Sequence, residues 1–360
     1  MRNLRALDGA RAVAILGVLA GHLKIPYCGG GWLGVDLFFV LSGFLITTLL
    51  LREQAETGSI SLPRFLARRA LRLYPALLFM LAAGWFVAPA LSPDGSSSGY
   101  LRVAAIVGTY STDLAILGTG NSFFGGLTHT WSLSVEEHFY LLWPVIVMVS
   151  LRRGRSVLRW ALIGAVACLF LLGWSLFQAH TPVHRTPQPY FFPFTRGYEL
   201  LLGCALAACR RGRSMPGWAA GAGLLGLGLI AWTAHDGFSS LLFGQIALGG
   251  VISCVIVASL VSSPSSCTAR LLSTGPAVWV GRISYGIYLW HPPVILVTAY
   301  ALPQHRVLAA AVAAGVTIGA AALSHRYVER PFLAIKDTLR PSGSASLSRR
   351  VQQEERPDVV

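Results

Sequence analysis

Apolar residues along this chain gather in long runs, separated by short polar segments and by stretches rich in glycine, proline and serine. Runs of this length predict membrane-crossing helices, because about 20 apolar residues span a hydrocarbon core about 30 Å thick. They fall at approximately 8 to 23, 32 to 51, 73 to 91, 132 to 151, 157 to 177, 196 to 209, 217 to 234, 241 to 262, 280 to 301 and 307 to 325. The expected fold class is therefore an all-α polytopic membrane protein, a bundle of about ten transmembrane helices. The stretch 101 to 117 is also apolar but carries Arg102 and Asp113, and it reads as an outer re-entrant or interfacial segment. The run at 196 to 209 is short and contains Arg196 and Glu199, which fits a tilted helix or one buried in the bundle. Residues 1–335 are expected to form the membrane domain, and 336–360, with PSGSASLS and EERPD, a disordered cytoplasmic tail.

Composition supports this picture. Residues are 54% hydrophobic and only 12% charged, and a mean hydropathy of +0.59 lies well outside the balance of soluble domains. A net charge of +14 would suggest nucleic acid in a soluble protein, but here the basic residues collect in alternate loops. Of the 29 lysines and arginines, only Lys24, Arg102, Arg185, Arg196 and Arg306 fall outside the inner segments when both termini are cytoplasmic. The positive-inside rule thus supports the span count and the orientation, and the partner it implies is the bilayer of a cell (inner) membrane, not nucleic acid. The N-terminal run contains Arg11 and lacks a small-residue cleavage site, so it reads as a retained first helix. Of the six cysteines only Cys28 falls clearly outside, so no intrachain disulfide is expected.

Polar residues inside the apolar runs are the candidate chemistry. In LDGARAVAILGVLAGH, Arg11 and His22 are eleven positions apart, roughly 16 Å along one helix, in opposite halves of the bilayer. A charge near the membrane core costs on the order of 2.5–3.5 kcal/mol, so such residues serve a site or a partner unless they snorkel to the interface. Asp36 lies about one turn into the second span, roughly 6 Å deep and level with His22. A carboxylate there orients an imidazole, or else pairs structurally with a basic group. Glu136, in HTWSLSVEEHFYLLWP, sits near the start of the fourth span, so His22, Asp36 and Glu136 are expected in one outer layer; His129 and Trp131 are placed at the outer interface.

At the inner end of the third span, Arg68 and Arg72 share a helix face with Arg69 beside them. Such a cluster suits phosphate groups, and it equally serves topology and anionic lipid. His291 lies near mid-membrane before Pro292 and Pro293, which either open the helix beside a polar cavity or kink it around a satisfied histidine. Glu329 can pair with Arg326 at helical spacing as a structural contact. The remaining histidines, His180, His184, His235 and His305, are scattered without metal-ligand spacing, and no metal site is expected.

Taken in order, LDGARAVAILGVLAGH, GVDLFFVLSGFLI, RRALRLYP, TWSLSVEEHFYLLWP, ISYGIYLWHPP and YVERPF resemble the acyltransferase 3 family of integral membrane acyltransferases over nearly the whole chain. The resemblance implies His22 as catalytic histidine with Arg11 as its partner, Asp36 and FFVLSG lining the site, Arg68, Arg69 and Arg72 meeting the donor, and Glu136 as the acidic residue of the SVEE motif. Two departures stand out: His138 replaces the family's common glutamine, and no appended extracytoplasmic esterase-like domain is expected. The function implied is transfer of an acyl group, acetyl being the expected one, from cytoplasmic acyl-CoA to a hydroxyl of a carbohydrate or lipid-linked glycan outside, without a metal. The alternatives are a proton-coupled small-molecule transporter, since carriers also use intramembrane His, Asp, Glu and Arg, and a scaffold without chemistry.

Overall fold

A computed structural model describes residues 2–179, 188–209, 215–234 and 240–339, and among these every regular element is helical. Each of the ten apolar runs is helical, the one at 280 to 301 being divided between two helices, and the principal helices are numbered in chain order. These are α1 (Arg2–His22), α2 (Leu33–Thr57), α3 (Leu62–Gly84), then, beyond two short helices, α4 (Ser97–Gly108) and α5 (Thr112–Thr119) over 101 to 117, α6 (Trp131–Arg152), α7 (Val157–Ala179), α8 (Pro193–Ala208), α9 (Ala219–Thr233), α10 (Ser240–Ser262), α11 (Gly275–Arg282), α12 (Ser284–Ala301) and α13 (Arg306–Ser324). Among the described residues, six helical stretches are long and apolar enough to cross a membrane, which makes this a multi-pass membrane protein. The helices α1, α8, α9 and α12 do not meet that standard by themselves, because they are shorter or more polar. Segment 101 to 117 breaks at Tyr110, whose φ of 52° ends one helix before the next begins; neither α4 nor α5 is long enough to span.

The bundle is organised around α2, which packs against α1, α6, α8 and α10. Close approach to α8 depends on glycine on both sides. A side chain on Gly43 would collide with the Leu200 backbone, and one on Gly203 with the backbones of Val40 and Phe44. Small residues at a crossing let helix backbones meet, which is how helices associate where apolar burial gives little net drive. Below this crossing Ile46 and Leu50 pack with Tyr140 and Trp143 of α6, and the Trp143 Nε1–H donates to Thr47 Oγ1 at 2.8 Å, so the buried indole is satisfied.

After α13 the chain makes a π-helical turn over His325–Glu329 and continues as α14 (Arg330–Thr338), past the expected start of the tail near Lys336. The wider turn brings the residue four positions along, not three, over its neighbour. Glu329 accordingly faces His325, at 3.2 Å, in place of the expected Arg326, whose guanidinium stacks on Tyr327. Residues 340–360, Arg185, Arg210, Arg211, Arg213, His180, His184 and His235 lie outside the described residues.

Candidate active site

One cavity gathers three of the four arginines singled out in the sequence. Arg11 enters from α1, Arg69 and Arg72 from α3, and Glu136 faces them from α6, with Ser42, Ser132, Tyr140, Ser284, Tyr285 and Tyr288 completing the polar lining. Ser132, Glu136 and Tyr140 are successive i, i+4 positions and so form one stripe of α6. The Glu136 carboxylate accepts hydrogen bonds from Ser42 Oγ at 2.6 Å and Tyr140 Oη at 3.2 Å, which fixes it beside the guanidinium groups. Arg69 lies over the rings of Tyr140 and Phe65, at 5.3 and 5.6 Å from their centroids, an arrangement that holds a cation without neutralising it. No ion-pair partner for Arg69 or Arg72 occurs among the described residues, so this cavity presents positive charge to whatever enters.

Arg68 is not part of it. Its guanidinium is held by Glu53 at 2.8 Å and by the Leu339 carbonyl at 3.2 Å, which ties α3 to α2 and to the end of α14. Arg68 lies only about 40° from Arg72 around the helix, but its guanidinium is engaged by Glu53 and the Leu339 carbonyl, and it does not line the cavity. Of the three arginines expected together, Arg69 and Arg72 line the cavity with Arg11, and Arg68 does not.

His22 stands at the exposed C-terminal end of α1. Its Nδ1 is 2.9 Å from the Val18 carbonyl. A carbonyl only accepts, so Nδ1 carries the hydrogen and Nε2 of the neutral ring carries the lone pair. The orienting group is thus backbone, not a carboxylate: neither Asp36 nor Glu136 is bonded to His22. Beside His22, with ring centroids 4.7 Å apart and edge-on, lies His291, followed by His129 at 5.5 Å from His291. Tyr288 packs against both inner histidines, gives its hydroxyl to the His129 carbonyl at 2.9 Å and meets Ser132 Oγ at 2.6 Å. Since Tyr288 and Ser132 also line the arginine cavity, one layer of side chains separates that cavity from the histidines.

Asp36 belongs elsewhere. Its carboxylate pairs with Arg196 of α8, which also holds Glu199 at 3.0 Å, and all three side chains are fully buried. The guanidinium is stacked among Tyr190, Phe39 and Trp131. The common outer layer expected for His22, Asp36 and Glu136 is therefore divided into three separate environments: His22 is bonded to its own helix backbone at Val18, Asp36 to Arg196 of α8, and Glu136 to Ser42 of α2. His138, the departure from the family pattern, pairs at 3.0 Å with the buried Asp113 of α5.

His129, expected at the interface, is buried, and α12 runs through Pro292 and Pro293 without breaking. The stripe Ser132, Glu136, Tyr140 and the parallel spacing Ser284, Tyr288, His291 on α12 are legible in the sequence as polar residues on one face each; the reading by single motifs overlooked Ser132, Tyr140 and Tyr288.

With this geometry in view, comparison with known proteins gives the family. The acyltransferase 3 model, an acyltransferase domain, matches residues 4–326, and the chain belongs to that family. It is similar to the peptidoglycan O-acetyltransferase OatA of Listeria monocytogenes, 30% identical over 352 residues, which cover 91% of this chain and 55% of the relative. It is also similar to the O-acetyltransferase OatA of Staphylococcus aureus, 31% identical over 358 residues, 92% of this chain and 57% of the relative. The chain thus spans little more than half the length of these relatives. No solved structure matches it. The carrier alternative gains no support from the family or from these relatives.

Proposed function

We propose that this protein is a membrane O-acyltransferase that moves an acetyl or other acyl group from cytoplasmic acyl-CoA to a hydroxyl of a carbohydrate or lipid-linked glycan on the outer side of the cell (inner) membrane. The observation that carries the reading is the cavity in which Arg11, Arg69 and Arg72 converge on one carboxylate, Glu136, with Arg11 also 3.9 Å from Asp8, so that positive charge is in excess one side-chain layer from His22. Guanidinium forks bind phosphate bidentately, and excess buried positive charge calls for an anionic ligand. The nucleotide end of acyl-CoA supplies that anion, and its thioester arm is long and thin enough to extend between helices. The names of the two relatives support an acetyl donor and a glycan acceptor such as peptidoglycan.

In this reading the ten helices all span, with both termini cytoplasmic as the basic loops dictate. His22 Nε2 removes the proton of the acceptor hydroxyl as the oxygen attacks the thioester carbon and the thiolate departs, with the Val18 carbonyl keeping the ring in the right tautomer. Glu136, fixed by Ser42 and Tyr140, balances the arginines and positions the donor arm. Asp36 contributes by joining α2 to α8 and does not touch the reacting atoms.

The test is thioester consumption from labelled acetyl-CoA by purified protein in lipid, with and without a glycan acceptor. Wild type is expected to consume the thioester, His22→Ala to be inactive, and Arg69→Gln/Arg72→Gln to need far more donor. Uptake of a solute without thioester cleavage, unchanged by His22→Ala, would overturn the reading.

A further inference from the structure

His291 is used by none of the steps above, yet it is the fully buried ring against His22. Its position has a covalent cause. Pro292 has no N–H to give to the carbonyl four residues back, which is that of Tyr288. His291 Nδ1 lies 2.8 Å from that carbonyl and 3.1 Å from the carbonyl of Ile287, so the imidazole supplies the donor that the proline withholds. Both carbonyls only accept, so the hydrogen of the neutral ring is on Nδ1 and the lone pair on Nε2. That Nε2 is buried and has no hydrogen-bond partner. An unpaired buried acceptor costs about 1–3 kcal/mol, so its retention needs a reason.

The same tautomer holds for His22, whose Nδ1 is committed to Val18. Each ring is therefore left with one nitrogen able to gain a hydrogen, and the two rings are in contact. The titratable rings that face His291 are His22 from α1, His129 from the segment before α6, and Tyr288 from its own helix, and no carboxylate is bonded to it.

Building on the function proposed above, we infer that His291 is a proton-relay residue: its Nε2 receives the proton that His22 removes from the acceptor hydroxyl. In the balanced step the hydroxyl oxygen forms the ester bond, the carbon–sulfur bond breaks, and the hydroxyl proton passes to His22 Nε2 and on to His291 Nε2. It returns through His22 Nε2 to the thiolate, giving free thiol and restoring both neutral rings. His291 does not touch substrate; it keeps His22 free to act as a base while the thiolate departs.

His291→Asn separates this role from packing, because the asparagine Nδ2 stands where Nδ1 stands and still serves the Tyr288 carbonyl, while nothing replaces Nε2. We expect an unchanged melting temperature and donor KM, a kcat lower by at least about tenfold, within the range general acid–base groups contribute, and a kcat–pH profile lacking one ionisation of the wild type. A kcat within about twofold of wild type with the wild-type pH profile overturns the relay. Activity retained in His22→Ala overturns the function beneath it, so the two failures are distinguishable. Should His291→Asn fail to fold, ¹⁵N-histidine spectra of the wild type decide, with His22→Ala assigning the signals. The Nε2 resonances of His22 and His291 moving together through one coupled titration supports the relay, and independent titrations overturn it.

Discussion

Asp36 and Arg196, 160 residues apart in sequence, form a fully buried ion pair that fastens α2 to α8. Removing one partner of such a pair leaves an uncompensated charge, at a cost of about 3–5 kcal/mol. Arg196→Leu, which strands both Asp36 and Glu199, is therefore expected to lower the melting temperature of the purified protein sharply. Thermal unfolding in a fixed detergent checks this, and a melting curve matching wild type would refute the clamp.

Arg68 and Arg72 are predicted to fail differently. Arg72→Gln should raise the donor KM about tenfold or more with little change in stability, since its side chain lines the cavity. Arg68→Gln should leave KM near wild type and reduce stability, as should Glu53→Gln, because the two hold each other. Kinetics with acetyl-CoA beside melting curves for the three variants would expose the opposite pattern if the cavity assignment were wrong.

Glycine substitutions test the helix crossing. Gly43→Ala puts a methyl group into the Leu200 backbone, and overpacking of this kind costs about 1–3 kcal/mol or more. Gly315→Ala on α13 meets no atom within 4 Å and should be neutral or stabilising by up to about 1 kcal/mol. Equal melting temperatures for the two variants would contradict this packing.

Asp94, in the loop before α4, gives a pH dependence with a definite sign. Hydrogen bonds from the Ser92 and Ser96 hydroxyls and from the Ser96 N–H, with Arg102 at 2.8 Å, hold its carboxyl well below the usual carboxylate range. A depressed folded-state value stabilises the loop above the unfolded value, about 3.9, and the contribution fades as pH falls below that toward the folded value. Backbone exchange at Ser96, corrected for intrinsic rates, should be faster in Asp94→Asn than in wild type at pH 7, and the difference should shrink below about pH 4. A difference that persists undiminished at low pH would count against the carboxylate as its source.

The helices were legible because an apolar run long enough to span admits few other structures, and all ten runs landed on helices. Arg11 and Glu136 were legible as charges inside apolar runs and Arg69 and Arg72 as a basic cluster at the inner end of a span, and the four share a cavity. What one chain direction cannot reveal is which partner a charge finds across the bundle. Arg68 turned to Glu53, and Asp36 to Arg196 in a helix whose charges fitted either a tilted or a buried position. The orientation of His22 by Val18 is illegible for a different reason: every residue carries a backbone carbonyl, so this partner leaves no trace in the sequence, whereas a carboxylate does.

The proline at position 292 has a reach beyond the bend usually credited to it. By deleting one backbone hydrogen it dictates which nitrogen of the preceding ring is protonated, so the acid–base identity of His291 is written into the main chain. A rearranged side-chain network cannot rewrite it. Any descendant that exchanges Pro292 for a residue with an N–H would return that carbonyl to the helix ladder and release the imidazole to either tautomer. His291 and Pro292 should therefore be inherited as a single unit.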